Sequence, residues 1–231
     1  MVDWITQTEA EALFLSFKIS SIAILCALPI AIATAALLSR PSFIGKSILD
    51  GLVHLPLILP PVVMGYLLLI TLGTKAPLGN WLLESFGIRF IFSWTGAALA
   101  AGIVTFPFQV RAIRLAMETI DTGLIDAAKT LGAGPIDRFI SIILPLALPG
   151  IIAGAITAFA ASLGEFGAII TFVSNIPGET RTLPLAIYSA IQTPNGEVAA
   201  GRLVILSILL AFSGLILSEI ASRRIKRRLD R

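Results

Sequence analysis

The chain has 231 residues, 56% of them hydrophobic and only 13% charged, with a formal net charge of +3. Its mean hydropathy is +0.94, whereas a soluble domain is about a quarter charged, so an ordinary soluble protein is excluded. What remains is an all-α integral membrane protein, a helical bundle in which roughly 20 apolar residues per crossing leave room for five spans, or six.

The N-terminal stretch MVDWITQTEAEALF carries acids and no basic leader region ahead of its first apolar run, so this run is expected to stay as a span rather than be cleaved. Apolar runs of crossing length follow at 14–38, 51–72, 93–113, 141–162 and 203–221. The single cysteine, Cys26, lies inside the first run, which leaves no intrachain disulfide and no thiolate metal site. In the second run Pro56, Pro60 and Pro61 fall within seven residues, and each removes a backbone donor and obstructs the turn before it. A broken helix is expected there, and broken helices at membrane depth are tolerated where they face protein or a water-filled cavity. Pro60 and Pro61 are therefore candidate pathway or gate residues, with a plain packing kink as the other reading. His54, the only histidine, has no Cys or carboxylate cluster beside it, so no metal site is expected.

Thr105 in the third span, with Thr157 and Ser162 in the fourth, could line a polar path, although such hydroxyls commonly bond to their own helix. The fourth span also carries Gly150, Gly154 and Ala158 ahead of Ser162, a small residue at every fourth position. That spacing allows close helix packing, either within the chain or across a two-fold dimer. Glu165 follows at the end of this span, where an acid near hydrocarbon suggests a structural or gating role, with Arg181 as a conceivable partner. The stretch 163–200 begins like a sixth crossing but meets Pro177, Gly178 and Glu179 too soon, and reads as re-entrant or external.

Twelve of the seventeen Lys and Arg fall in loop 39–50, loop 111–140 and the tail SRRIKRRLDR; the other five are Lys18, Lys75, Arg89, Arg181 and Arg202. The positive-inside rule then places the C-terminus in the cytoplasm and the N-terminus outside. A juxtamembrane basic tail is an orientation signal, so its charge gives no reason to expect nucleic acid. The cytoplasmic loop, about 114–140, contains a short predicted helix: Asp121 suits an N-cap, Gly132 a left-handed stop, and Pro135 the first position of a second helix. A helix of about ten residues needs something to pack against, either its own bundle or a partner. Ala127 and Ala128 keep its surface low and Asp126 adds one charge at the rim, the profile of a helix laid into a groove.

The spacing D-A-A at Asp126, Ala127 and Ala128, then Gly132, then I-x-L-P at Ile142, Leu144 and Pro145, resembles the EAA loop of the permease subunits of binding-protein-dependent ABC importers, with Asp126 in place of the usual Glu. HLPLILPPVVMGYLLL, FPFQVRAIRLAMETID, SLGEFGAIITFVSNIPGETRTLP and IQTPNGE narrow the likeness to the molybdate branch, with sulfate permeases the nearest relatives. The resemblance implies a type I importer transmembrane domain with its core at about 12–221. It implies that the loop docks into a separate ABC ATPase through Asp126, Ala127, Ala128, Gly132, Ile142, Leu144 and Pro145. It further implies a homodimer in the cell inner membrane, a soluble oxyanion-binding protein as partner, no cofactor on this chain, and ATP-Mg on the ATPase. Consistent with that division, G-x-x-x-x-G-K-[ST] is absent and no catalytic residues are predicted. A secondary anion transporter or channel would be expected to show inverted repeats or buried ion pairs in its spans, and neither is visible in the sequence.

Overall fold

The computed structural model describes residues 6–229; residues 1–5 and 230–231, and the side chains of Leu215 and of 217–229, lie outside the described set, and with them the basic tail. The described residues are helical almost throughout, in eleven helices. α1 (Gln7–Leu38) starts seven residues ahead of its predicted span because Thr6 caps it: the Thr6 hydroxyl accepts from Glu9 N, and Thr6 N donates to the Glu9 carboxylate. The chain then forms α2 (Lys46–Ile58), α3 (Pro61–Leu72), α4 (Pro77–Phe86) and the long α5 (Trp94–Glu118). α6 (Thr122–Thr130) and the single turn α7 (Pro135–Arg138) follow, then α8 (Leu144–Leu163), α9 (Gly167–Val173), α10 (Leu183–Ile191) and α11 (Glu197–Leu229).

Among the described residues four helical stretches are long and apolar enough to cross a membrane: α1, α5, the continuous run 135–163, and the 197–214 part of α11. The expected fifth span is the pair α2–α3, which turns through 113° between Ile58 and Pro61. The break falls at Leu59–Pro60, where the backbone becomes extended and Pro61 opens the next helix. Pro56, expected to break the helix as well, is instead carried within α2, where the Leu59 N–H still reaches the Leu55 carbonyl at 3.1 Å. In the stretch 163–200 the two helices have seven and nine residues, below crossing length.

α5 is the axis of the bundle. It packs along α1 and α8, and small residues on it (Ala97, Ala98, Ala100, Ala101) let those helices approach. One core cluster joins Leu15, Ile19 and Ala23 of α1 to Met64 and Leu68 of α3 and Ile169 and Phe172 of α9. A second, at the other end, joins Ala31, Ala35 and Leu38 of α1 to Val53 of α2, Val110, Ile113 and Met117 of α5, and Ala147 and Ile151 of α8. At that end the Ser39 hydroxyl lies 3.9 Å from the Met117 sulfur, so the loops after α1 and α5 are neighbours. At the opposite end Arg202 holds Glu9 through two bonds of 2.9 and 3.0 Å, which ties the start of α11 to the start of α1.

Between α7 and α8 the helix widens to one π turn over Phe139–Ile143, with Leu144 N–H reaching the Phe139 carbonyl. Pro145 has no N–H to offer the Ser141 carbonyl, and its ring crowds that group, which accounts for the loosened turn just before it.

Candidate functional site

The short helix expected between Asp121 and Gly132 is present as α6. Asp121 caps it, its Oδ1 accepting from Gly123 N at 2.8 Å. At its far end Gly132 has φ +87°, Gly132 N donates to the Lys129 carbonyl at 3.1 Å and Ala133 N to the Ala128 carbonyl at 3.0 Å. Those two bonds are the pair that closes a Schellman turn, and the left-handed residue between them is why glycine stands there. No residue of α6 is buried. Leu124 is 51% exposed and Leu131 88% exposed, so the helix projects from the bundle with its apolar side unpartnered.

Asp126, Ala127 and Gly132 lie on this exposed element, and Ala128 is half-buried. The other three residues assigned to docking are separated from it. Ile142 sits in the π turn and Pro145 on an exposed side of the stem, while Leu144 packs on the core cluster that contains Met117 and Ala147. Leu144 is thus a stem residue, because an apolar side chain at the foot of a span is better satisfied by the core than by the surface.

The second candidate element is the bent span. α3 packs on α9 without intervening side chains: a Cβ at Gly65 would stand 2.7 Å from the Ala168 carbonyl oxygen, and one at Gly167 would stand 2.9 Å from Pro61 Cβ. The proline kink and the segment after Glu165 are therefore in direct contact, a juxtaposition that no linear motif announced. Glu165 is 7% exposed, and its Oε1 accepts from Ala168 N at 2.8 Å, which fixes the first turn of α9. The expected Glu165–Arg181 pair is not formed: Arg181 Nε donates to Asn175 Oδ1 at 2.9 Å. α9 ends at Ser174, held at φ +66° and ψ −170°, a region that non-glycine residues rarely occupy.

Two hydroxyls proposed to line a path are enclosed by helices instead. Thr105 donates to the Ala101 carbonyl at 2.7 Å, and Ser162 donates to the Ser20 hydroxyl at 2.9 Å, both fully buried. The small-residue stripe is likewise occupied within the chain. Gly150 faces Ala116 and Ala112, and Gly154 faces Ala112 and Gln109, all on α5, while Ala158 is completely buried. Gln109, which sequence reasoning missed, is fully buried in α5 with neither side-chain atom hydrogen-bonded. Among the described residues no three of His, Cys, Asp and Glu converge as a metal site, and His54 contacts the Asp50 backbone carbonyl at 2.8 Å.

A bundle of crossing helices with a bent span, two short inserted helices and an unpartnered helix projecting from one end is the architecture of a transporter's membrane subunit. The family described as "Binding-protein-dependent transport system inner membrane component" matches residues 27–227, and the chain belongs to it. It is 56% identical over 227 residues to the molybdenum transport system permease protein ModB of Escherichia coli (strain K12), covering 98% of this chain and 99% of that one. The protein of the same description from Haemophilus influenzae is 52% identical, over 96% of each chain. Among solved structures, a chain of the MetNI methionine ABC transporter in inward-facing conformations superposes with a TM-score of 0.73 at 16% identity, covering 94% of this chain and 95% of that one. A bacterial ABC transporter involved in alginate import gives 0.76 at 19% identity, over 95% of this chain and 80% of that one. These last two establish the fold alone.

Proposed function

We propose that this chain is the permease subunit of an ATP-driven importer that moves molybdate into the cytoplasm. The observation that carries the substrate is the 56% identity, over 98% of the chain, to a relative named for molybdenum transport. In this reading ATP is hydrolysed on a separate ABC ATPase, and α6 is the helix that docks into it. The unpartnered apolar side of α6 supports that role, since so short a helix needs a surface to pack against. A soluble oxyanion-binding protein delivers molybdate from outside, and two copies of the chain form the passage about a two-fold axis in the inner membrane. The N-terminus lies outside and the C-terminus in the cytoplasm, an orientation supported by twelve Lys and Arg on one side against five on the other.

The substrate test is calorimetric titration of molybdate, tungstate and sulfate into the cognate binding protein, paired with uptake by proteoliposomes holding the assembled importer. Molybdate is expected to bind and to be taken up. Tight sulfate binding without molybdate binding would transfer the chain to the sulfate branch.

The bent span gives a second expectation. Replacing Pro60 and Pro61 together with leucine restores two backbone donors at the bend and frees the two backbone angles that the proline rings fix. Uptake is expected to fall several-fold while the complex still assembles. Wild-type uptake in that variant would take the bend out of the mechanism.

A further inference from the structure

At the end of the bundle that carries α6, Arg114 joins two helices that the sequence places far apart. Its Nη1 donates to Asp50 Oδ1 of α2 at 3.0 Å, and its Nε donates to Glu118 Oε1, one turn further along α5, at 2.7 Å. His54 Nδ1 lies 3.3 Å from the same Asp50 oxygen. Arg114 stands one turn before the end of α5, and only Thr119, Ile120 and Asp121 separate that end from α6. Those three residues are not slack: Thr119 N bonds the Leu115 carbonyl and Ile120 N the Met117 carbonyl.

α2 packs chiefly on α5, through Leu49 and the buried Val53 against the cluster of Val110, Ile113 and Met117. Apolar contacts of this kind hold two helices together but allow them to slide, because they are not directional. A guanidinium that grips a carboxylate on each helix is directional and fixes the register. Beyond α2 the chain turns through 113° into α3, which is locked on α9 at Gly65 and Gly167. Movement imposed on α6 thus reaches α5 through a three-residue joint, α2 through Arg114, and the α3–α9 contact through the proline bend.

We propose that Arg114, held between Asp50 and Glu118, is a positioning residue that transmits movement of the docking helix to the bent span. The proposal rests on the importer reading given above. Its energetic scale is modest: the side chain of Arg114 is 25% exposed and that of Asp50 40% exposed, so each pair is worth about the strength of a surface salt bridge. The function assigned is register rather than stability.

The test uses the complete complex of permease, ATPase and binding protein in proteoliposomes, measuring molybdate uptake and ATP hydrolysis on the same preparation. For Asp50→Asn and Arg114→Gln, molybdate imported per ATP hydrolysed is expected to fall about fivefold, with ATPase co-purification unchanged. Arg114→Lys keeps the charge but cannot grip both carboxylates, and is expected to fall between those variants and wild type. Full inversion by Asp50→Arg, Arg114→Glu and Glu118→Arg together is expected to restore most of the ratio. Unaltered coupling in the single variants, or impaired coupling that inversion leaves unrestored, overturns the proposal. So does failure of every variant to assemble, which would make the cluster a folding element. If the wild-type complex itself neither takes up molybdate nor hydrolyses ATP in response to the loaded binding protein, the importer reading fails instead.

Discussion

The substitution Gly132→Val is expected to lower the ATPase stimulation by loaded binding protein roughly tenfold, with the permease still inserted in the membrane. A Cβ at this position meets nothing within 4 Å, so sterics beyond the residue's own backbone play no part. The effect comes from φ +87° alone, which costs an L residue about 1–2 kcal/mol in the left-handed region and more when the side chain is β-branched. That is comparable to everything holding the end of α6, since the two Schellman bonds to the Lys129 and Ala128 carbonyls close only around a left-handed residue. With the turn open, the last turn of a nine-residue helix frays, and a helix of that length does not hold itself together in water. A graded series follows from the same cause: Asn tolerates the left-handed region and is expected to stay near wild type, Ala to be intermediate, Val to be worst. Stimulated ATPase activity measured across the series checks the ranking. Equal activity in Gly132→Val and wild type would remove the turn at Gly132 from coupling.

The short helix α6 was readable in advance because its boundaries are written in residues that act locally. Asp121 caps its own N-terminus and Gly132 supplies its own backbone angle, so neither depends on where the rest of the chain lies. The spans were readable for a similar reason, since crossing length is a property of a contiguous apolar run. Their ends were less so: α1 begins after the hydroxyl cap Thr6, seven residues ahead of the expected run, and α5, whose start at Ser93 was expected, runs on past 113 and Arg114 to Glu118. α4 escaped notice although Pro77 at its start and Gly87 at its end mark it, because it lies between spans where only loops were sought.

What could not be read in advance was direction. The motif fixed the spacing of Ile142, Leu144 and Pro145 but not that Leu144 turns into the core. Glu165 and Arg181 have opposite charges and lie sixteen residues apart, yet each found a nearer partner, Ala168 N for one and the Asn175 carboxamide for the other. Asp50 and Arg114, separated by 64 positions, did meet. Charge alone does not select partners across such separations; the packing of α2 on α5 does, through Val53 and Ile113.

Gly150→Ala is expected to destabilise the permease by about 1–3 kcal/mol, the usual cost of overfilling a packed contact. An added Cβ would stand 2.3 Å from the Cβ of Ala116 and 3.0 Å from the Ala112 carbonyl oxygen. Neither neighbour can swing aside, one being a side chain with no rotamer and the other backbone, so α8 has to move off α5. Gly154→Ala is expected to be milder, with its nearest contacts at 3.1 and 3.2 Å. Gly201→Ala, on α11 with nothing within 4 Å, serves as the control and is expected to be neutral or stabilising. Thermal unfolding of the detergent-solubilised complex measures all three. The decisive variant adds Ala116→Gly to Gly150→Ala, which removes the closest atom and is expected to recover most of the lost stability. Recovery assigns the stripe of small residues on α8 to packing within one chain and directs the search for a dimer interface to other surfaces. A double variant no more stable than Gly150→Ala alone would mean that the stripe is crowded by something other than α5.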